Sequence, residues 1–539
     1  MDPTTKQLDG GTFFGGSPAR VLRLTGAGQR ALAELRDGPV RSTTGGALAR
    51  RLTDAGLAHP RPPALAAPPD VTVLIPVKDR PQLLDRCLTA LGHRYPVLVV
   101  DDGSADPAAI AAVANGHGAR LVRRAANGGP AAARNTGLAS VTSEMVAFCD
   151  SDCVPEAGWI ERLAAHLADP AVAVAAPRIL PVSARGDGPP LCFPGGLPPE
   201  PPAPDSAASE GTRLRRAPPR QSWAGQSWAG RYSAVGSSLD MGGQEGRVAP
   251  GTRLSYVPAA ALLARRSALA DVGGEAVFDP TLRLGEDVDL VWRLHEAGWR
   301  IRYEPAAVVR HHEPGSWPGL LTRRFRYGTS AAPLALRHPG QSVPLLLYPW
   351  PTLTVAGLLA RRPVLAGLGF AGSVLAMRAA LHRAGLPDRG VLPAMLRATQ
   401  QTWLGIGRYG CQFGAPVLAA ALVAPGGSPA RRWGRRAAAA SLLLGPSLTA
   451  WAGQRPDLDP VRYVLGQVAD DVAYGAGVWA GSLRHRTTVP VRPAIAWHPL
   501  RGDLARPGPS PRQLDERGAI VVTGDHESTA LSPDTRPEG

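Results

Sequence analysis

The chain has 539 residues, 44% hydrophobic and 19% charged, which is enough apolar material for about two or three packed domains. That composition argues against a wholly disordered or collagen-like chain. Five scattered cysteines (Cys87, Cys149, Cys153, Cys192 and Cys411) give neither a disulfide framework nor a zinc ligand set. The net charge is +15, and Lys6 and Lys78 are the only lysines. Between Arg300 and Arg486 stand 22 arginines against seven acids, so the whole surplus lies in the C-terminal half. Such a patch suits an anionic membrane surface or a pyrophosphate ligand. No nucleic-acid partner is expected, because the arginines interleave with long apolar runs and not with a recognition-helix pattern.

Residues 1–60 read as a small unit. A turn-rich hairpin covers 10–16, a strand 21–24, and a helix capped by Thr25 runs to Leu35. A second helix covers 45–56, and residues 61–70 are a Pro/Ala linker. From 71 the pattern alternates. VTVLIPV (71–77), PVLVVDDGS (96–104), ARLVRR, EMVAFCDSD (144–152) and VAVAAPRI read as strands. PQLLDRCLTAL (81–91), PAAIAAVANG, PAAARNTGLASV and WIERLAAHLAD read as helices between them. The rhythm predicts an α/β domain with a doubly wound, mostly parallel sheet, which places ligands at the carboxyl ends of its strands.

Residues 181–250 read as a loop-rich insertion and contain the pentad QSWAG twice in succession (221–230). Order returns over 251–311 with a strand at YVPAAALLARR, a helix at GEDVDLVWRLHEAGWR and a strand at IRYEPAAVVRHH. Residues 312–486 read as an Arg-rich helical region. Its uncharged runs are 343–360, 363–377, 411–430 and 437–454, at or below the length that crosses a bilayer. The pairs Arg361–Arg362, Arg431–Arg432 and Arg435–Arg436 beside them favour association with the inner face of a cell membrane; an Ala-rich helical bundle is the alternative. Residues 487–539 read as a disordered tail. No apolar leader is visible at the start, and with the unpaired cysteines this points to the cytoplasm.

The chemistry concentrates at strand ends. Asp150 and Asp152 follow a buried strand, two residues apart, and hard oxygen ligands so placed suit Mg2+ or Mn2+ holding substrate phosphates. Asp101 and Asp102 end another strand; they are able to bind a nucleoside edge or to form an Asx-turn. In NGGPAAARNTG (127–137), Arg134 offers a fixed cation near such phosphates. Glu286 and Asp287 open a predicted helix, where the dipole favours a carboxylate as an N-terminal cap. Arg323 and Arg326, three apart, share a helical face.

The succession IPVKDR, VVDDGS, NGGPAAARNTG, FCDSD and GEDVDL resembles the inverting family 2 glycosyltransferases of the GT-A fold. The resemblance implies a nucleotide-sugar site at Pro76, Asp101, Asp102, Arg134 and Asp150, with Lys78 and Arg80 nearby. It implies a metal on Asp152 and Asp150, a base at Asp287 beside Glu286, and diphosphate contacts from Arg323 and Arg326. The segments GGTFFGGSPARVLRLTGAGQRAL, SSLDMG, GTRLSYVPAAALLARR and RRFRYGTSAAPLALRHPG are similar to the glycosyltransferases of mycofactocin systems. That likeness implies a UDP-sugar donor, glucose in β-1,4-linked units, and a peptide-derived redox cofactor or its precursor as acceptor. It also makes residues 1–60 a winged-helix-like, peptide-binding candidate. Two other readings stay open: a lipid or polyprenol acceptor at the membrane, and a non-catalytic peptide-binding membrane scaffold.

Overall fold

The computed structural model describes residues 1–182 and 227–496, except 275, 384 and 455, together with the strand pair Gln513–Leu514 and Ile520–Val521. At the N-terminus β1 (Lys6–Gln7), β2 (Thr12–Gly15) and β3 (Arg20–Arg23) form an antiparallel sheet. Two helices follow, α1 (Gly26–Asp37) and α2 (Thr43–Asp54). Thr25 accepts from the Gly28 N–H and Ser42 from the Gly45 N–H, which satisfies donors that the first turn leaves free. Phe13, Leu22, Leu32, Leu52 and Leu57 close a small core of their own.

The main sheet starts at Val71. β4 (Val71–Val77), α3 (Pro81–Leu91), β5 (Val97–Asp101), α4 (Pro107–Gly116), β6 (Arg120–Arg123), α5 (Pro130–Leu138) and β7 (Met145–Cys149) alternate in order. β4 pairs in parallel with β5 and β7, and β5 with β6. β4 is apolar almost throughout because both of its faces are covered. Leu74 joins one core layer; Val73, Ile75 and Val77 join the other.

Then come β8 (Cys153–Pro155), α6 (Trp159–His166), β9 (Val172–Pro181), α7 (Trp228–Val235), β10 (Gly246–Val248), β11 (Ala261–Arg265), α8 (Arg266–Gly273), α9 (Glu286–Glu296) and β12 (Arg300–His311). The sheet order is β10-β12-β9-β11-β7-β4-β5-β6, with β8 on β12. β9 and β12 are parallel, but β11 runs antiparallel between β7 and β9. The sheet is therefore parallel in its first half and mixed beyond β7. A buried apolar run has one pattern whichever way it points, so the rhythm of residues did not carry this reversal.

α7 begins inside the second QSWAG copy, where the Ser227 hydroxyl caps it; residues 183–226, with the first copy, lie outside the described residues. The helical region comprises α10 (Trp317–Thr329), α11 (Ala331–Arg337), α12 (Pro349–Leu359), α13 (Pro363–Arg383), α14 (Val391–Val423), α15 (Pro429–Gln454) and α16 (Pro460–Arg484). α14 kinks at Gly414, two residues before Pro416. α10 and α16 touch through glycines: a methyl group on Gly477 would overlap the Phe325 carbonyl, and one on Gly328 the Tyr474 carbonyl. Beside that seam Arg324 binds both oxygens of Asp470 at 2.5 Å. Among the described residues α13 is the one helix long and apolar enough to cross a membrane, by length and composition. Residues 487–496, expected as the start of the tail, pack instead. The Tyr409 hydroxyl donates to the Val491 carbonyl, and Ala494–Ile495 pairs with Leu346–Leu347.

Candidate active site

Asp101 ends β5, Asp150 and Asp152 follow β7, and His311 ends β12, so the chemistry gathers at the carboxyl ends of the strands. Pro76 is buried in β4, and Lys78 and Arg80 stand exposed just past its end. Asp101 accepts from the Ser104 N–H at 2.9 Å. Asp102 accepts from the Gly128 and Gly129 N–H groups at 3.0 and 2.7 Å and is paired with Arg124. Both aspartates are buried, and they hold the turns at 101–104 and 127–129. The glycine loop thereby starts α5, with Gly129 at a φ of +87° that favours glycine.

Arg134, on α5, is 2% exposed. Its Nη1 donates to Glu286 Oε1 at 2.8 Å, and its Nη2 to Asp150 Oδ1 at 2.7 Å. The Phe278 ring lies 5.5 Å from the guanidinium. One buried cation therefore joins the strand-end acid of β7 to the first residue of α9. Arg134 is committed to two carboxylates, and the more exposed cations are Lys78, Arg80 and Arg326. Glu286 is buried; desolvation first, and then the charge of Asp287, push its carboxyl up to about 7. Burial also raises Asp287, although the Val288 and Ala259 N–H groups donate to it at 2.8 and 3.2 Å. Asp289 is different. Burial would raise it, but His338 and Arg293 outweigh that and hold it low, as a clamp between α9 and α11.

Asp152 lies 3.4 Å from His311 Nε2 and 3.8 Å from Arg80 Nη1. Burial raises Asp150, and the neighbouring Asp152 adds to the rise. Among the described residues no group of three or more His, Cys, Asp or Glu is placed to hold a metal ion. Two carboxylates that repel each other, Asp150 and Asp152, nevertheless share this strand end, with the buried imidazole of His311 turning its Nε2 to Asp152 and its Nδ1 to Glu313. That donor set fits a divalent ion that leaves positions for substrate phosphates. His311 and Glu313 are the residues that sequence reasoning missed. The signal was HHE directly after a strand, the same rule that singled out Asp150 and Asp152.

Arg323 is paired with Glu313, which faces His311 at 3.4 Å, so α10 reaches the strand end that carries Asp152. Arg326 is exposed, and its side chain makes no hydrogen bond or ion pair with another described residue. Tyr256 and Tyr327 stand near Asp287; burial first, and then its charge, raise their hydroxyls. These phenols carry no pattern in sequence.

Comparison with known proteins identifies the family. The model of glycosyl transferase family 2 matches residues 72–191, and that of glycosyl transferase family group 2 matches 218–392. The chain is 37% identical over 504 residues to the pre-mycofactocin glycosyltransferase of Mycobacterium tuberculosis, covering 90% of this chain and 95% of that protein. It is 34% identical over 103 residues to glycosyltransferase AglE of Haloferax volcanii, covering 17% of this chain and 34% of that one. A mannosyltransferase from Pyrobaculum calidifontis, solved with GDP-Man and Mn2+, superposes with a TM-score of 0.40 at 19% identity, over 77% of this chain and 88% of that one. The chain belongs to the family 2 glycosyltransferases, and it matches the pre-mycofactocin glycosyltransferase along nearly its whole length.

Proposed function

We propose that the chain transfers a hexose from a UDP-sugar to pre-mycofactocin, the acceptor named for its full-length relative, with inversion at the anomeric carbon. The sugar we assign is glucose, added in β-1,4-linked units. The observation that carries this reading is the Arg134 bridge. It ties Asp150, two residues from Asp152 on a donor side, to Glu286, next to Asp287 on an acceptor side. An inverting transfer needs both at once.

Asp287 serves as the base. It takes the proton of the acceptor hydroxyl as that oxygen attacks the anomeric carbon, while the bond to the diphosphate breaks on the opposite face. A carboxyl raised by burial suits proton acceptance near neutral pH. Glu286, fixed by Arg134, holds the first turn of α9 in place. Lys78, Arg80, Arg323 and Arg326 supply positive charge to the diphosphate. Pro76, Asp101 and Asp102 shape the nucleotide end, the last through the 127–129 loop. Asp152 and Asp150, with His311, would hold Mg2+ or Mn2+, which when bound offsets charge on the departing diphosphate. The N-terminal unit is assigned to the peptide-derived part of the acceptor or its precursor.

Mass spectrometry of purified protein with UDP-glucose, Mn2+ and pre-mycofactocin tests this. Products heavier by successive hexoses are expected, and none from Asp152→Ala. No adduct with any UDP-sugar would contradict the assignment.

A second reading concerns the membrane. Val364, Leu368 and Leu375 of α13 and Trp433 of α15 are exposed, and Arg361, Arg431 and Arg432 stand beside them. A groove of about 720 Å³ between α12, α14 and α15 includes Leu358, Leu396, Trp403 and Trp433. These favour a resting place on the anionic inner face of the cell membrane. A polyprenol or lipid acceptor is the competing assignment; UDP release stimulated by a lipid extract, with no cofactor adduct, would select it.

A further inference from the structure

The N-terminal unit meets the catalytic domain at the amino end of β12, whereas His311 lies at its carboxyl end. Arg247 on β10 and Arg302 on β12 are direct cross-strand partners, so their side chains share a face. Arg300, two residues along, shares it too. Like charges placed opposite one another repel unless a counter-charge is present. The acids nearby are already matched. Asp54 binds Arg300 at 2.8 and 2.9 Å, Asp169 binds Arg50 at 2.7 Å, and Glu245 binds Arg61 at 2.6 Å. Glu304 is 2.9 Å from His166, and Asp2 is 2.6 Å from His59.

Two guanidiniums are left over. Arg247 donates to the Asp54 carbonyl at 2.7 Å, and Arg302 contacts His59 Nδ1 at 3.3 Å. Neither has a carboxylate within ion-pair distance among the described residues. Arg302 is 5% exposed, and its Nε has no hydrogen-bond partner; nor has Arg300 Nη1. A buried charge without a partner is costly. Burial, only partly offset by more distant acids, lowers Arg302 to about 10. Arg247, Arg300 and Arg302 line a cavity of about 110 Å³ together with Thr53 and Pro60 of the N-terminal unit and the already paired Asp54 and Asp169. That space holds one small anion and not a nucleotide.

We propose that this cavity binds a small oxyanion, a phosphate or a carboxylate, which sits on Arg247 and Arg302 and joins the N-terminal unit to the catalytic domain. The site lies apart from the transfer chemistry and does not depend on the function proposed above.

The test uses the full chain in EDTA, so that phosphate is not drawn to a metal at the donor side. Inorganic phosphate and acetate are titrated in parallel, against sodium chloride at the same ionic strength. One of them should raise the unfolding midpoint by about 3 °C near saturation and slow amide exchange over residues 53–62. Which one does so identifies the source of the oxyanion. Arg302→Gln should remove both effects. Arg247→Gln, at a half-exposed position, should do the same, and it decides the matter if Arg302→Gln fails to fold. The proposal is overturned if neither anion exceeds chloride, if the effect survives Arg247→Gln, or if exchange slows only around residues 76–80 and 127–134.

Discussion

Glu286 and Asp287 stand side by side, and burial raises both, so they titrate as a pair. A base that holds its proton more tightly is lost sooner as pH falls. Transfer should therefore decline on the acid side through a limb above the ordinary carboxylate range. Glu286→Gln should move that limb to lower pH, because it removes the neighbouring charge. Profiles of kcat against pH for both proteins check this; a limb already in the ordinary range would set the pairing aside. Arg134→Ala leaves Asp150 and Glu286 without their shared cation. Breaking a buried ionic unit from one side costs about 3–5 kcal/mol, measurable by denaturant unfolding. At this scale the sequence was readable where acids end apolar strands. It was silent on the Arg134 bridge, whose partners lie 16 and 152 residues away along the chain. Local pattern fixes which residues sit at a strand end, but only the closed sheet decides what they touch.

The contact between α10 and α16 governs where Arg323 stands. Gly477 allows α16 to lie against the Phe325 carbonyl, and an added methyl group must separate the two helices. Gly477→Ala should destabilise the protein by about 1–3 kcal/mol, as overpacking does. It should also lower kcat, because α10 carries Arg323 toward Glu313 and His311. Thermal unfolding and initial rates check the two effects; an unchanged rate in a destabilised variant would remove α10 from the site. The start of α1 was legible because its cap is local: Thr25 accepts from the Gly28 N–H, three residues on. The antiparallel course of β11 was not, because strand direction depends on the path of the connection and leaves no mark on the strand's own residues. The α10–α16 seam was hidden for the same reason, since its glycines have meaning only opposite another backbone.

For the molecule as a whole, the arginine surplus and the exposed apolar helices act together. Arg431, Arg432 and Arg436 are exposed within about the first two turns of α15. Changing all three to Gln should weaken binding to anionic vesicles by about 1 kcal/mol per residue, and salt should weaken it in the unchanged protein. Vesicle flotation reads both; binding that ignores charge and salt would leave only apolar insertion. The sequence displayed the apolar runs plainly. It did not show which sides of the helices face each other, since Ala-rich segments pack on any face.

The central claim is that Asp287 removes the acceptor proton while a separate set of residues holds the donor. The most direct test is Asp287→Asn, a change of one atom that keeps the shape of the side chain. UDP-sugar binding by calorimetry and transfer rate would be measured on the same preparation. The account predicts binding within about twofold of the unchanged protein and transfer lower by about 10²–10⁴-fold, the usual contribution of a general base. Transfer within tenfold, or a joint loss of binding and rate, would contradict it.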